Sequence, residues 1–477
     1  MSAFTRREFL EQSFLRAASA GAMAGAASLP AIAQPKASPN ERLRVALLGV
    51  HGQGRVHAGK WADMKDAEVA VICDADANVV ADAMGAVEKR SGRKPQFVQD
   101  LRKVMDDKTI DVVSIAMPNH WHVLASIWAI QAGKDVYVEK PLGHNIWEQR
   151  KLVEASRKHN KIVQMGNYTR SLQSLRSAME FLRAGKLGKV KVARGLCYNR
   201  RASIRKLPDA PVPEGVDYNL WQGPAPERPF NPNRFHYNWH WNFDYGGGEM
   251  ANNGIYYLDI ARWGIGKNEH PRRVLSVGGR LSYEDDGTTP NTQIAVLDYG
   301  DVQIVQEIRG LATSKYKEVS NGNFFHCEEG FVTSGTSGAA AFAPDGKLIQ
   351  RFSGGGEHFR NFADAVKSRN RESLTSEVLE GHLSTTLCHL SNISYRLGQE
   401  RLVENDAPFG DGGPGDEAWW RMSEHLKENG LETAKTPIRV GRALTFDGKT
   451  ETFGDDAEAN KLLSREYRKP FVVPDNI

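Results

Sequence analysis

The chain has 477 residues, 40% of them hydrophobic and 25% charged, with a formal net charge of +4. That is globular composition in a chain too long for one core, so two or three domains are expected. The basic residues are scattered and form no stripe interleaved with aromatic rings, which argues against nucleic acid as a partner.

Residues 1–33 read as an address. Thr5-Arg6-Arg7-Glu8-Phe9-Leu10 is a twin-arginine pattern, followed by the Ala/Gly-rich run "AASAGAMAGAASLPAIA" and a cleavage-like Ala31-Ile32-Ala33 before Gln34. Cleavage after Ala33 is expected, with residues 34–41 as linker and a periplasmic mature protein. No later stretch reaches the roughly 18 apolar residues of a membrane span, so no membrane attachment is expected after cleavage. Cys73, Cys197, Cys327 and Cys388 lie far apart with no C-x-x-C pair and are expected to be buried thiols.

From Leu43 the stretch "LRVALLGVHGQGRVHAG" breaks from an aliphatic run into glycines and then a helical pattern. Gly49 and Gly54 match the outer positions of G-x-G-x-x-G, whereas His51 takes the middle one; Gly52 would have to supply that backbone freedom one residue later. "AEVAVICD" ends in Asp74, 20 residues past Gly54, where an acid that binds the adenosine ribose is expected. With Ala75-Asp76 next and no cation to receive a 2′-phosphate, NAD is favoured over NADP.

Strand-like runs then alternate with helical patterns: "PQFV", "DVVSIAMPNHWH", "KDVYVEKP" and "KIVQMGN". This predicts a doubly wound parallel sheet over residues 42–166, with ligands beyond the carboxyl ends of its strands. Those ends carry the remaining candidate cofactor contacts: Pro118, Asn119, His122, Glu139, Lys140 and Asn167, beside His51, Gly52 and Arg55 of the first turn. Lys140 is fixed between Glu139 and Pro141 in extended geometry, so its ammonium would point into the crevice.

Beyond residue 167, "LPDAPVPEGVDYNLWQGPAPERPFNPNRF" is a long irregular excursion of the kind that covers sites. In "FHYNWHWNFDYGGG", from Phe235 to Gly248, rings occupy every second position, and a period of two sends alternate side chains to opposite faces of an extended segment. Two readings stand: a strand with its rings in a core, or a site that grips a polyhydroxylated ligand.

The glycine-rich first turn, "EKPLGHNIWEQRKLVEASRKHNKIVQMGN" and "GGGEMANNGIYYLD" together resemble the glucose-fructose oxidoreductase, inositol dehydrogenase and MocA (Gfo/Idh/MocA) family, from about Leu43 to Gly398. The resemblance implies an N-terminal Rossmann domain and a C-terminal α+β domain (167–400) on a large, mostly antiparallel open-faced sheet that often pairs between subunits. A homodimer or homotetramer is therefore expected. It also implies hydride exchange between nicotinamide and a carbohydrate carbinol. The family's lysine falls on Lys140, but its usual aspartate is Asn252 and its usual histidine is Tyr256; the tyrosine resembles the glucose-fructose oxidoreductase branch, whose members are exported with a twin-arginine signal and hold their cofactor tightly.

An ammonium within about 4 to 6 Å favours a phenolate, so Lys140 is expected to make Tyr256 acidic enough to act as acid and base, with Asn252 orienting the substrate. Arg170, Trp239, His240, Trp241 and Asp244 are the candidate carbohydrate contacts. His236 with His240, and His120 with His122, lack a convincing third ligand, so no metal is expected. Two alternatives remain open: a glycosidase that oxidises a ring carbon transiently, and a sugar-binding protein that has lost its chemistry at Asn252 and Tyr256. Residues 401–477, with a helix-like "DDAEANKLLSREY", are expected to wrap onto the body.

Overall fold

In the computed structural model the described residues are 42–335, 338–403 and 406–477. The expected export signal and linker lie outside them. The first sheet is formed by β1 (Leu43–Leu48), β2 (Ala67–Cys73), β3 (Gln96–Val98), β4 (Val112–Ile115), β5 (Asp135–Glu139) and β6 (Val163–Gly166) in the order β3-β2-β1-β4-β5-β6. Every pairing is parallel. Both faces must then be covered, which explains strands that read as continuous apolar runs. Val45 and Leu47 meet helices 53–62, 80–91 and 358–368 on one face. Ala46 and Leu48 meet helices 119–131 and 146–158 on the other.

The second sheet has eleven strands: β7 (Val190–Cys197), β8 (Arg273–Gly279), β9 (Thr292–Asp298), β10 (Gln303–Arg309), β11 (Asn321–Cys327), β12 (Gly330–Ser334), β13 (Ala339–Phe342), β14 (Leu348–Phe352), β15 (Gln399–Arg401), β16 (Ile438–Val440) and β17 (Leu444–Thr445). Only the β7–β10 pairing is parallel. Alternation along β9 divides its two faces. Ala295 and Leu297 pack beneath helices 173–183, 254–264 and 378–396, whereas Ile294 and Val296 pack against Trp419 and Met422 of helix 414–428.

The segment beyond residue 400 is part of both cores rather than an appendage. It supplies β15's last residue, β16 and β17 to the sheet. Its end then crosses to the Rossmann unit, where Phe471, 1% exposed, lies edge-on to Trp121 with ring centroids 5.4 Å apart. Helix 378–396 likewise serves both units, since Thr385 accepts the Leu142 N–H at 3.1 Å and His389 meets the Gly143 carbonyl at 3.1 Å.

The ring-alternating segment corrects its sequence reading, because it is not extended. A 3-10 turn at Pro232–Arg234 leads into it, another forms at Asn238–Trp241, and His236 takes a φ of 55°. Asn and Asp side chains that accept nearby backbone N–H groups win over the period of two: Asn231 caps Asn233 and Asn242 accepts from Asp244, each at 2.9 Å. Phe235, Trp239 and Tyr245 consequently share one cluster with Trp221 and Phe230. Cys73, Cys197 and Cys388 are buried free thiols, as expected, and Cys327 is half-buried. Among the described residues no helix is long and apolar enough to cross a membrane.

If the tail is core, Phe471→Ala should destabilise the protein by about 3 to 5 kcal/mol, measured by urea unfolding. A cost below 1 kcal/mol would show the tail to be peripheral.

Candidate active site

A cavity of about 390 Å³ opens at the carboxyl ends of the first sheet. One half is the first turn. Gly49 has φ +80°, and a Cβ there would stand 2.8 Å from the Ala116 carbonyl oxygen; at Gly54 it would stand 2.0 Å from the Gly49 oxygen. Only glycine lets helix 53–62 start so close beneath β1. Gly52 has φ +62° with open space around its Cβ position, so left-handed backbone does fall one residue after His51. The imidazole of His51 faces that of His236 across 4.4 Å.

Asp74 lines this half with one oxygen on the Val50 N–H (2.8 Å) and the other on the Asp76 N–H (3.0 Å). Burial pushes its carboxyl up to about 6, against these two hydrogen bonds. Pro118 and Asn119 line the cavity at the start of helix 119–131. His122 also borders it, but its ring is held between the Pro141 and Met117 carbonyls at 2.7 and 2.8 Å, so it shapes the turn.

The other half gathers the groups of the expected chemistry. Lys140 Nζ donates to the Asn252 carbonyl at 2.8 Å, lies 3.4 Å from Asn252 Oδ1, and stands 5.2 Å from the Tyr256 ring centroid. Burial works against the expected acidic phenol. Burial raises Tyr256 well above its ordinary value and the Glu139 charge pushes the same way. Burial also lowers Lys140, against the attraction of Glu139 and Glu249. Desolvation thus favours a neutral phenol beside an amine that gives up its proton more readily. His240 borders the same half, stacked on Trp239 at 3.6 Å, with Nδ1 on the Tyr237 carbonyl at 2.6 Å; burial brings it down to about 3.

Two supporting residues escaped the sequence reading. His57, fully buried, places Nδ1 2.9 Å from Ser114 Oγ and Nε2 3.1 Å from Glu139 Oε1. Burial acts to raise Glu139, yet the His57 contact and the Lys140 charge leave it below its ordinary value. Glu249, 2% exposed, accepts from Arg201 (2.9 and 3.0 Å), Asn199 (3.1 Å) and Asn253 (2.6 Å), and its Oε2 is 3.5 Å from Asn252 Nδ2. Glu249 had a usable signal, since it sits one helical turn before Asn252. His57 had none, because its partners come from other strands.

Several expected contacts lie elsewhere. Asn167 and Arg170 are turned to the buried carboxylate of Asp259, at 2.7 and 2.8 Å, and Arg170 also reaches Glu380 at 3.0 Å. Arg55 pairs with Asp82 (3.0 Å) and Asp244 with Arg228 (3.0 Å), away from the cavity lining. Trp241 lies under the Arg201 guanidinium at 5.2 Å rather than walling the cavity. The turn at residues 238–241 rotates Trp241 away from Trp239, and the opposite charges of the other pairs draw them out of the crevice. His236 pairs with Asp76 at 3.0 Å and His120 meets the Trp221 carbonyl at 2.9 Å. A His270, His382 and Glu451 group, not singled out from sequence, also draws in Arg150, so its carboxylate already has a cationic partner.

Fold and cavity together define a dinucleotide-binding α/β protein of the oxidoreductase type. Residues 43–167 match the family described as "Oxidoreductase family, NAD-binding Rossmann fold", and residues 185–408 match its C-terminal alpha/beta domain. The chain belongs to the Gfo/Idh/MocA oxidoreductase family. It is 31% identical over 171 residues to Glycosyl hydrolase family 109 protein 2 of Shewanella sp. (strain ANA-3), covering 33% of this chain and 38% of the relative. It is 28% identical over 158 residues to levoglucosan dehydrogenase of Pseudarthrobacter phenanthrenivorans, covering 32% and 40%. These matches span well under half of each relative's length. The WlbA dehydrogenase of Bordetella pertussis, solved with NADH and UDP-GlcNAcA, shares the fold at a TM-score of 0.55 and 17% identity, covering 74% of this chain and 97% of that one.

Because the folded carboxyl of Asp74 is raised, the folded protein holds a proton there that the unfolded chain has released between about pH 4 and 6. This group's contribution should therefore fall as pH rises through that window and level off above it. Thermal unfolding of cofactor-free wild type and Asp74→Asn across pH 4 to 7 should show the variant lacking this component; identical profiles would contradict it.

Proposed function

We propose that this protein moves hydride between a firmly held NAD and a carbinol carbon of a carbohydrate. The observation that carries this reading is one cavity with a glycine-turn half and a Lys140-Asn252-Tyr256 half. The glycines leave room that any Cβ would take, and Asp74 stands at the end of β2 where a ribose hydroxyl would meet it, which favours NAD over NADP. The nicotinamide, when bound, accepts or returns the hydride.

The protein's own part is proton transfer and orientation. Lys140, whose proton burial loosens, in its neutral form takes the substrate hydroxyl proton at Nζ as the carbon is oxidised and returns it in the reverse direction. The protonated phenol of Tyr256 donates a hydrogen bond to the same oxygen. Trp239 and His240 offer a stacked face to sugar C–H groups. Retention of the cofactor is supported by the long excursion, which ties itself to the nucleotide side: Asp217 N–H to the Ala75 carbonyl at 2.8 Å, Ala77 N–H to the Gly215 carbonyl at 3.0 Å, and His236 to Asp76. A cofactor that stays bound suits the export that the N-terminal pattern suggests, and its recycling then requires a second substrate.

The glycoside hydrolase family 109 relative favours a second reading, in which a ring carbon is oxidised, the aglycone eliminated, water added and the carbon reduced, with no net change in the cofactor. Hydrolysis of aryl glycosides without an added acceptor would select it.

Protein purified without added nucleotide should release NAD on denaturation. Lys140→Ala should lower turnover by roughly 10² to 10⁴, and Tyr256→Phe by about tenfold through loss of one hydrogen bond. Oxidative turnover should also fall toward acid pH as Lys140 becomes protonated. Nicotinamide absorbance changes during turnover measure the last three; full activity in Lys140→Ala would overturn the assignment.

A further inference from the structure

The geometry points to a second binding subsite, beside the Lys140 cavity, for a carboxylate or sulfate group carried by the carbohydrate. It rests on the carbohydrate reading above and specifies the substrate class. A hollow of about 440 Å³ lies against the main cavity, and Tyr237 borders both. Its wall is the segment Arg200–Arg205 together with Asn238 and Trp241, so three arginines and no acidic residue line it.

The neighbouring acids are committed elsewhere. Glu249 holds Arg201. Glu284 holds Lys206 at 2.9 Å. Asp285 is fully buried on Arg280 and accepts the Ile204 N–H at 2.9 Å. Asp286 accepts the Leu207 N–H at 2.9 Å and Asn233 Nδ2 at 2.9 Å. Asp285 and Asp286 therefore fix the backbone of the segment while leaving Arg200 and Arg205 without a carboxylate partner among the described residues.

Guanidinium groups suit this task because their planar donor fork matches a carboxylate or sulfate two bonds at a time. Trp241, with Arg201 already lying 5.2 Å over its ring, gives the hollow a flat wall for a sugar face. Arg201 also joins the two sites, since Glu249, which it holds, contacts Asn252 next to Lys140. An acidic sugar unit lodged here would place its neighbour toward Lys140 and Tyr256, so the charged group would choose which residue of a disaccharide is oxidised.

Calorimetry on the holoprotein with two matched pairs of probes tests this: cellobiouronic acid against cellobiose, and 6′-sulfated lactose against lactose. The charged member of at least one pair should bind ten times tighter or better than its neutral partner, and which pair responds separates carboxylate from sulfate. The preference should weaken as salt rises and vanish in Arg200→Ser/Arg205→Ser, a surface pair whose folding is checked by its melting temperature. Equal binding within both pairs, no binding of either charged sugar at millimolar concentration, or a preference that survives the double substitution would each overturn the subsite. Cofactor reduction by neutral sugars without a charge preference would sink the subsite and leave the carbohydrate reading standing; a charge preference with a redox-silent nicotinamide would do the reverse.

Discussion

The arrangement of the cavity depends on one buried carboxylate. Asp259, fully buried on helix 254–264, receives Asn167 and Arg170 from the end of β6 and Ser384 from helix 378–396. Tyr256 lies one turn earlier on the same helix, and Lys140 directly follows the neighbouring strand β5. A charge so buried is tolerable only when paired and hydrogen-bonded, and removing one partner from such a cluster costs about 3 to 5 kcal/mol. The cluster therefore acts as a clamp between the two sheets, holding the phenol at the mouth of the Rossmann crevice. Asn167 and Arg170, which sit at a strand end where ligand contacts are expected, serve the site by fixing its second half.

Within the clamp, desolvation is the largest influence on both Lys140 and Tyr256. An exposed lysine beside an exposed tyrosine would make the phenol more acidic, because opposite charges attract. Here both groups leave water, and burial is the largest influence on each, raising the phenol and lowering the amine. Burial thus loosens the proton on the amine and keeps the phenol able to donate a hydrogen bond. Glu139 and Glu249 flank the pair, the first in contact with the His57 ring and the second paired with Arg201. Substitution of the family's usual aspartate by Asn252 thus leaves negative charge nearby, on Glu249.

The irregular excursion does more than cover the cavity. The chain leading into it is pinned at Ile204 and Leu207 by backbone hydrogen bonds to Asp285 and Asp286, and the excursion itself is pinned to the nucleotide side of the first sheet. Residues 235–245 close between these anchors as a cluster of rings. Helix 378–396 and the tail reach both units from behind, so cofactor half and substrate half share one packed body.

The sequence by itself determined the parallel sheet, its strand ends, the glycine turn and the placing of Lys140, because these depend on local periodicity and on backbone freedom that short stretches encode. It also carried the family, through motifs whose spacing is fixed by such turns. Tertiary structure alone decided which way the aromatic segment turns, since Asn and Asp capping competes with a period of two and only packing against Trp221 and Phe230 settles it. It alone decided that Arg170 and Asp244 meet charged partners away from the cavity, and that the phenol stays neutral. Ion pairing and desolvation act between residues distant in the chain, and no local pattern contains them.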